Sequence, residues 1–177
     1  YAVSKAKEGK TVSIISTGDA GLYGMAGPIL ELAPDLNVEI IPGISAAFAA
    51  ASRLGAPLMH DTALISLSDR LTDYEVIKKR VGLAAEGDFV IALYNPKSKT
   101  RSDYIEEAVN IILKFRAPKT PVGIVKNACR NNEKITLTEL QKINYDEIDM
   151  FSLIIIGNSN TYIQNGKIIT PRGYKIK

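Results

Sequence analysis

Ser16-Thr17-Gly18-Asp19-Ala20-Gly21-Leu22-Tyr23-Gly24 follows the apolar run Val12-Ser13-Ile14-Ile15 and precedes a segment that can turn helical. Strand, glycine-rich turn and helix, in that order, present backbone N–H groups to a small ligand at the edge of an α/β sheet. The spacing Gly18-x-x-Gly21-x-x-Gly24 is not the GxGxxG of a dinucleotide site. The carboxylate of Asp19 repels phosphate, so the turn suits a ligand that is neutral or positively charged at that point.

Outward from this turn, strands and helices alternate. A helix tail ends at Gly9, and Thr11–Ser16 reads as a strand. A short helix over Gly24–Leu32 stops at Ala33-Pro34-Asp35, and Val38–Ile41 reads as the next strand. Pro42-Gly43 turns into a helix, Ile44–Leu54, with Ile44, Phe48, Ala51 and Leu54 near one face. Gly55-Ala56-Pro57 ends it, and a domain boundary is expected there, giving domains 1–58 and 59–177. The second domain is expected to hold strands at Thr62–Leu67, Phe89–Tyr94, Pro121–Val125, Lys134–Leu137 and Phe151–Gly157. Helices are expected at Asp73–Ala85, from Asp103 to Phe115 behind an Asp103/Glu106 capping box, and at Thr138–Ile143. Gln164-Asn165-Gly166 marks a hairpin. The alternation argues for an α/β fold with largely parallel sheets.

The bulk numbers agree with a globular chain. It has 177 residues, 46% hydrophobic and 23% charged, with a net charge of +3, a balance that suits an anionic small molecule. No basic block interleaved with aromatics marks a nucleic-acid partner. No apolar run is long enough to span a membrane, and the first residues lack a signal-peptide core. The single cysteine, Cys129, excludes an internal disulfide and points to a reducing, cytoplasmic setting. One histidine and one cysteine cannot build a His/Cys metal site, so no metal is expected.

The loops Thr17–Gly24, Pro42–Ala46, Asn95–Arg101 and Lys126–Glu133 follow strand ends, where open α/β sheets bind ligands. Gly18-Asp19 with Tyr23-Gly24, then Ile41-Pro42-Gly43-Ile44-Ser45-Ala46, then Leu93-Tyr94-Asn95-Pro96, resemble the tetrapyrrole (corrin/porphyrin) methyltransferase family. Leu54–Asp61, Ile65–Asp69, Asn95–Arg101 and Ile156–Ser159 are similar to the branch that methylates carbon 17 of precorrin-3B or its cobalt analogue, with ring contraction. The likeness runs from Thr11 to Tyr174. The family opens with a further strand and glycine-proline loop, which nothing before Thr11 matches, so the chain reads as N-terminally incomplete.

The resemblance implies two α/β domains, usually in a homodimer, with S-adenosylmethionine and a tetrapyrrole substrate at the cleft between them. Carried over by motif, the cofactor contacts are Thr17, Gly18, Asp19, Leu22, Ser45, Ala46, Asn95 and Ala128. A carboxylate tolerates a nearby sulfonium, which fits Asp19. Methyl transfer from a sulfonium needs alignment in a dry cleft rather than an activated side chain. Ring contraction calls for proton transfers, for which His60 and Asp61 are the candidates. Arg101 and Arg130 are expected to bind carboxylates of the substrate, with Lys97, Lys99 and Lys126 as surface charges. Two other readings stay open: a different methylation position on the macrocycle, and a non-catalytic tetrapyrrole-binding fragment.

Overall fold

The computed structural model of the chain describes residues 1–98 and 102–174. It divides into two compact units, Tyr1–Phe48 and Ala49–Lys177.

The first unit opens with α1 (Ala2–Lys7), closed through Gly9 in the left-handed region at φ +83. Its second helix is α2 (Ala26–Leu32). The two segments expected as strands, 11–16 and 38–41, form no sheet ladder. Both line a trough of about 840 Å³ whose walls include Val3, Val12, Ile14, Ile29, Val38 and Ile40. A β-type pattern makes a segment fit for a sheet but does not supply the neighbouring strand. Neither segment has such a neighbour among the described residues.

Helix α3 (Ala46–Leu54) crosses the division between the units. It buries Ala47, Ala50, Ala51 and Leu54, while Phe48 and Ile44 are exposed. The buried stripe therefore differs from the expected one: three alanines replace the bulky pair. Small side chains permit the close approach that phenylalanine would prevent.

The second unit continues with β1 (Gly55–Ala56), β2 (Thr62–Ser66), α4 (Tyr74–Glu86), β3 (Val90–Tyr94) and α5 (Tyr104–Ile112). Then come β4 (Pro121–Lys126), β5 (Lys134–Glu139), β6 (Ser152–Ile156), β7 (Tyr162–Gln164) and β8 (Lys167–Ile169). The main sheet has the order β2-β3-β6-β4-β5. It is mixed rather than largely parallel: β2 and β3 run parallel, while β6 is antiparallel to both β3 and β4, and β5 to β4. The cause of the last pairing is length. Residues 127–133 are too few for a crossover, so β4 and β5 form a hairpin. Thr138 lies in β5, and the helix expected over Thr138–Ile143 shrinks to a 3₁₀ turn, Leu140–Lys142. An entirely buried strand such as β6 is apolar along its length in either direction, so its sequence does not disclose its sense.

Local chemistry sets the helix ends. The Asp73 carboxylate accepts the Glu75 N–H at 2.8 Å and caps α4. The capping box expected at Asp103 does not form, because its carboxylate takes the Ser102 hydroxyl instead of a helix N–H. Helices α4 and α5 cover one face of the sheet, where Ile77, Val81, Ile105 and Ile112 join Ile91 and Ile154 in the core. On the other face, Gly123 of β4 admits Leu54 and Ile168. A Cβ at Gly123 would stand 2.4 Å from Leu54 Cδ1 and 3.0 Å from Ile168 Cδ1. The small second sheet, β1-β8-β7, is completed by a hairpin at Asn165-Gly166, both at positive φ, as expected. No helix among the described residues is long and apolar enough to cross a membrane.

Candidate functional site

In the first unit, the turn at 17–24 and the turn at 42–43 are tied together by Asp19. Its Oδ1 accepts N–H bonds from Gly21 at 2.8 Å and Leu22 at 3.1 Å, and its Oδ2 accepts from Gly43 at 3.0 Å. These donors, Gly43 first, hold the carboxyl below its ordinary value of 3.8. The sequence expectation gave Asp19 to the cofactor; in the structure its two oxygens also accept N–H groups from both turns. The approach of the turns is close. A Cβ at Gly43 would fall 2.2 Å from the Gly18 carbonyl oxygen, and one at Gly24 would fall 2.5 Å from that of Ala20. Gly18 sits at φ +77, a conformation that L side chains rarely adopt. Thr17 and Gly18 are exposed on this locked pair of turns, with Leu22 half-buried. Ser45 is buried directly before α3, and Ala46, its first residue, is exposed.

In the second unit, β2, β3 and β4 all point the same way, so their C-terminal ends share one edge of the sheet. Asn95 leaves β3 in the left-handed region at φ +52, and its Nδ2 donates to Ser66 Oγ at the end of β2 at 2.9 Å. The same Oγ accepts the Ser68 N–H at 3.2 Å. The loop after β4 holds Asn127, Cys129 and Asn132 at positive φ. Three such residues in one short connection are a concentration of the backbone strain that clusters at ligand sites. Glu133 stabilises this loop, accepting the Cys129 N–H at 2.6 Å and Arg53 Nε at 2.8 Å. That backbone donor lowers the Glu133 carboxyl, with the arginine adding to it. Ala128 lies between two of the left-handed residues, and Arg130 is exposed beside it with no ion-pair partner among the described residues.

The structure thus brings Asn95, Ala128 and Arg130 to one sheet edge, and Thr17, Gly18, Asp19 and Leu22 to one locked turn. His60 and Asp61 precede β2, at the opposite edge from Asn95. His60 Nδ1 accepts the Asp61 N–H at 3.0 Å. Lys97 Nζ donates to the Tyr145 carbonyl at 3.1 Å, and Lys126 pairs with Asp149 at 2.6 Å, as suits structural rather than ligand-binding lysines. Arg101 and Lys99 lie outside the described residues. Sequence reasoning missed Ser66, Glu133 and Arg53 as supports of the loops. The serine stood within the quoted motif Ile65–Asp69, whereas the Arg53–Glu133 pair, 80 residues apart, left no local signal.

The model of the tetrapyrrole (corrin/porphyrin) methylases matches residues 1–144. The chain belongs to the tetrapyrrole methylases. Its relatives within the family are consistent in kind. A probable cobalt-factor III C(17)-methyltransferase of Salmonella typhimurium is 49% identical over 99% of this chain and 74% of its own length. A cobalt-factor III methyltransferase of Priestia megaterium is 50% identical over 99% of this chain, which spans 34% of that longer protein. The crystal structure of the methyltransferase CobJ superposes with a TM-score of 0.90 at 34% identity, covering 96% of this chain and 73% of CobJ. The α/β fold of the chain matches that structure over 96% of its residues.

Proposed function

We propose that this chain serves an S-adenosylmethionine-dependent methyltransferase of cobalamin (corrin-ring) biosynthesis, acting at carbon 17 of precorrin-3B or its cobalt analogue, with ring contraction. The observation that carries the reading is the alignment of 99% of the chain with a C(17)-methyltransferase at 49% identity. The two-domain division at 58/59, a homodimer, a cytoplasmic setting and the absence of nucleic-acid or membrane partners belong to the same proposal.

The residues present fit the cofactor. Gly18 and Gly43 keep the turn surface free of side chains where the backbones nearly touch. The carboxylate of Asp19 stands among the turn amides without a phosphate-type array around it. When bound, S-adenosylmethionine supplies a methyl group on a sulfonium, which a carbon nucleophile displaces in line. Thr17, Gly18 and Leu22 offer backbone and shape to the cofactor, with Ser45 and Ala46 leaving space beside them. Asp19 acts as a positioning residue for this turn. Asn95 and Ala128 shape the edge in the second unit, and Arg130, with Arg101, binds substrate carboxylates. The chain therefore aligns and excludes water, which is most of what a displacement of this kind needs.

For contraction, His60 is the proposed proton-transfer group, with Asp61 beside it. The Asp61 N–H donates to His60 Nδ1 and so orients the imidazole. The test of the whole reading is incubation of the purified protein with S-adenosylmethionine and cobalt-factor III, followed by mass spectrometry and NMR. One methyl group at carbon 17 is expected. Binding of S-adenosylhomocysteine without transfer to that substrate, but with transfer to another precorrin, overturns the carbon-17 assignment.

A further inference from the structure

The connection from β2 to α4 is pinned at both ends. At its start, Leu67 N–H donates to the Tyr94 carbonyl at 2.9 Å, and Ser68 N–H donates to Ser66 Oγ. Next, the Asp69 carboxylate accepts the Tyr104 hydroxyl at 2.7 Å. The Tyr104 ring stacks on Tyr74, the first residue of α4, with centroids 3.7 Å apart and planes 14° from parallel. At the far end, Asp73 caps α4. Both acidic residues beside Arg70 therefore have structural tasks. Between the pins stand Arg70, exposed and without an ion-pair or hydrogen-bond partner among the described residues, and Leu71, fully exposed at 100%.

A lone exposed leucine on a protein surface means nothing by itself. Here it stands beside an unpaired guanidinium, on an anchored loop, at the sheet edge that also carries Asn95 and Arg130. Loops β2–α4 and β4–β5 leave the edge three strand positions apart, about 14 Å at the usual strand spacing. A flat apolar molecule with carboxylates on its rim can span that separation and satisfy both arginines.

We propose that Arg70 and Leu71 form a substrate-holding finger: the guanidinium donates a paired N–H contact to a rim carboxylate of the tetrapyrrole, and Leu71 lies against its apolar face. This rests on the substrate class proposed above and adds an anchoring cation to Arg130 and Arg101, at the β2 end of the sheet edge. Arginine suits the task because its planar fork matches a carboxylate with two parallel bonds, whereas lysine offers a point charge. The stacked tyrosines hold the finger out, so little freedom is lost when the ligand arrives.

The test is titration of the full chain with uroporphyrin III, a polycarboxylate tetrapyrrole, followed by the Soret absorbance. S-adenosylhomocysteine is titrated in parallel by calorimetry. R70A is expected to weaken porphyrin binding about tenfold or more and R70K to recover part of it, with S-adenosylhomocysteine affinity unmoved in both. L71S is expected to weaken the porphyrin alone. Esterifying the porphyrin carboxylates is expected to abolish the difference between wild type and R70A. If R130A weakens porphyrin binding while R70A does not, the finger is overturned and the substrate reading stands. If R70A weakens both ligands together, Arg70 is structural and the proposal falls. A wild-type chain that binds S-adenosylhomocysteine but no porphyrin overturns both the finger and the substrate class on which it rests.

Discussion

Gly43→Ala isolates the contact on which the first unit's ligand turn depends. The added Cβ would stand 2.2 Å from the Gly18 carbonyl oxygen and 3.0 Å from its carbon, both backbone atoms that no rotamer change can move. Ordinary contact begins at 3.4 Å, so the two turns must part by more than an ångström. The Gly43 N–H bond to Asp19 Oδ2, now 3.0 Å, lengthens past any useful hydrogen-bond distance when they do. Displacement of this size at a positioning element typically costs about 10²-fold in a rate that depends on alignment. S-adenosylhomocysteine affinity, measured by calorimetry, is expected to fall steeply in G43A. Hydrogen exchange at the turn amides should quicken while the second unit's core amides keep their protection. Gly27→Ala serves as the control: a Cβ there meets nothing within 4 Å, and alanine favours the helix. A G43A protein with wild-type affinity and wild-type exchange at residues 17–24 would refute the claim that the two turns are locked through this contact.

Four further outcomes follow from the structure. The folded pKa of Asp19 is depressed, so its stabilising bonds are present above the unfolded carboxylate pKa and are lost as pH falls through the folded one; the Asp19 carboxyl carbon shift should titrate below 3.8, and a midpoint above that value contradicts the bonding described. Leu54→Ala, which empties a fully buried position, should cost about 3 kcal/mol in chemical denaturation. Because Leu54 supplies the atoms that a Gly123 Cβ would strike, G123A should cost less in the L54A background than in wild type, and strict additivity would show that the two do not pack together. His60→Ala is expected to leave methyl transfer intact and to stop contraction, with the methylated, uncontracted ring accumulating; contraction at the wild-type rate removes His60 from the mechanism.

Most elements of the second unit were legible because their signals are local. Asp73 before an apolar stripe announces α4, and Asn165-Gly166 announces the final hairpin. Strand direction was not legible, since burial on both faces erases the alternation that would have set β6 apart from a parallel strand. The segments 11–16 and 38–41 read as strands on pattern alone, yet a ladder needs a partner, and pattern does not name one. At the candidate site the motif residues were visible, but their tasks were not. The part Asp19 plays in joining the two turns was hidden because one of its three N–H donors is Gly43, 24 positions away.

The acidic residues near the ligand loops share a use that bears on mechanism. Asp19 takes backbone N–H groups, Asp69 takes the Tyr104 hydroxyl, and Glu133 takes Cys129 N–H together with Arg53. The donors to Asp19 and Glu133 favour the ionised form of those two carboxylates, which makes them poor proton shuttles but strong local anchors, because each bond to them is charge-assisted. Arg70 and Arg130, by contrast, stand exposed at the sheet edge with no ion-pair partner among the described residues. These carboxylates thus hold loops, while Arg70 and Arg130 are left for the ligand. That division suits a reaction in which the protein holds an anionic plate and an electrophilic methyl group in line. Under the proposed contraction step, the same division leaves general acid–base work to the histidine at the other end of β2 rather than to a carboxylate in the loops.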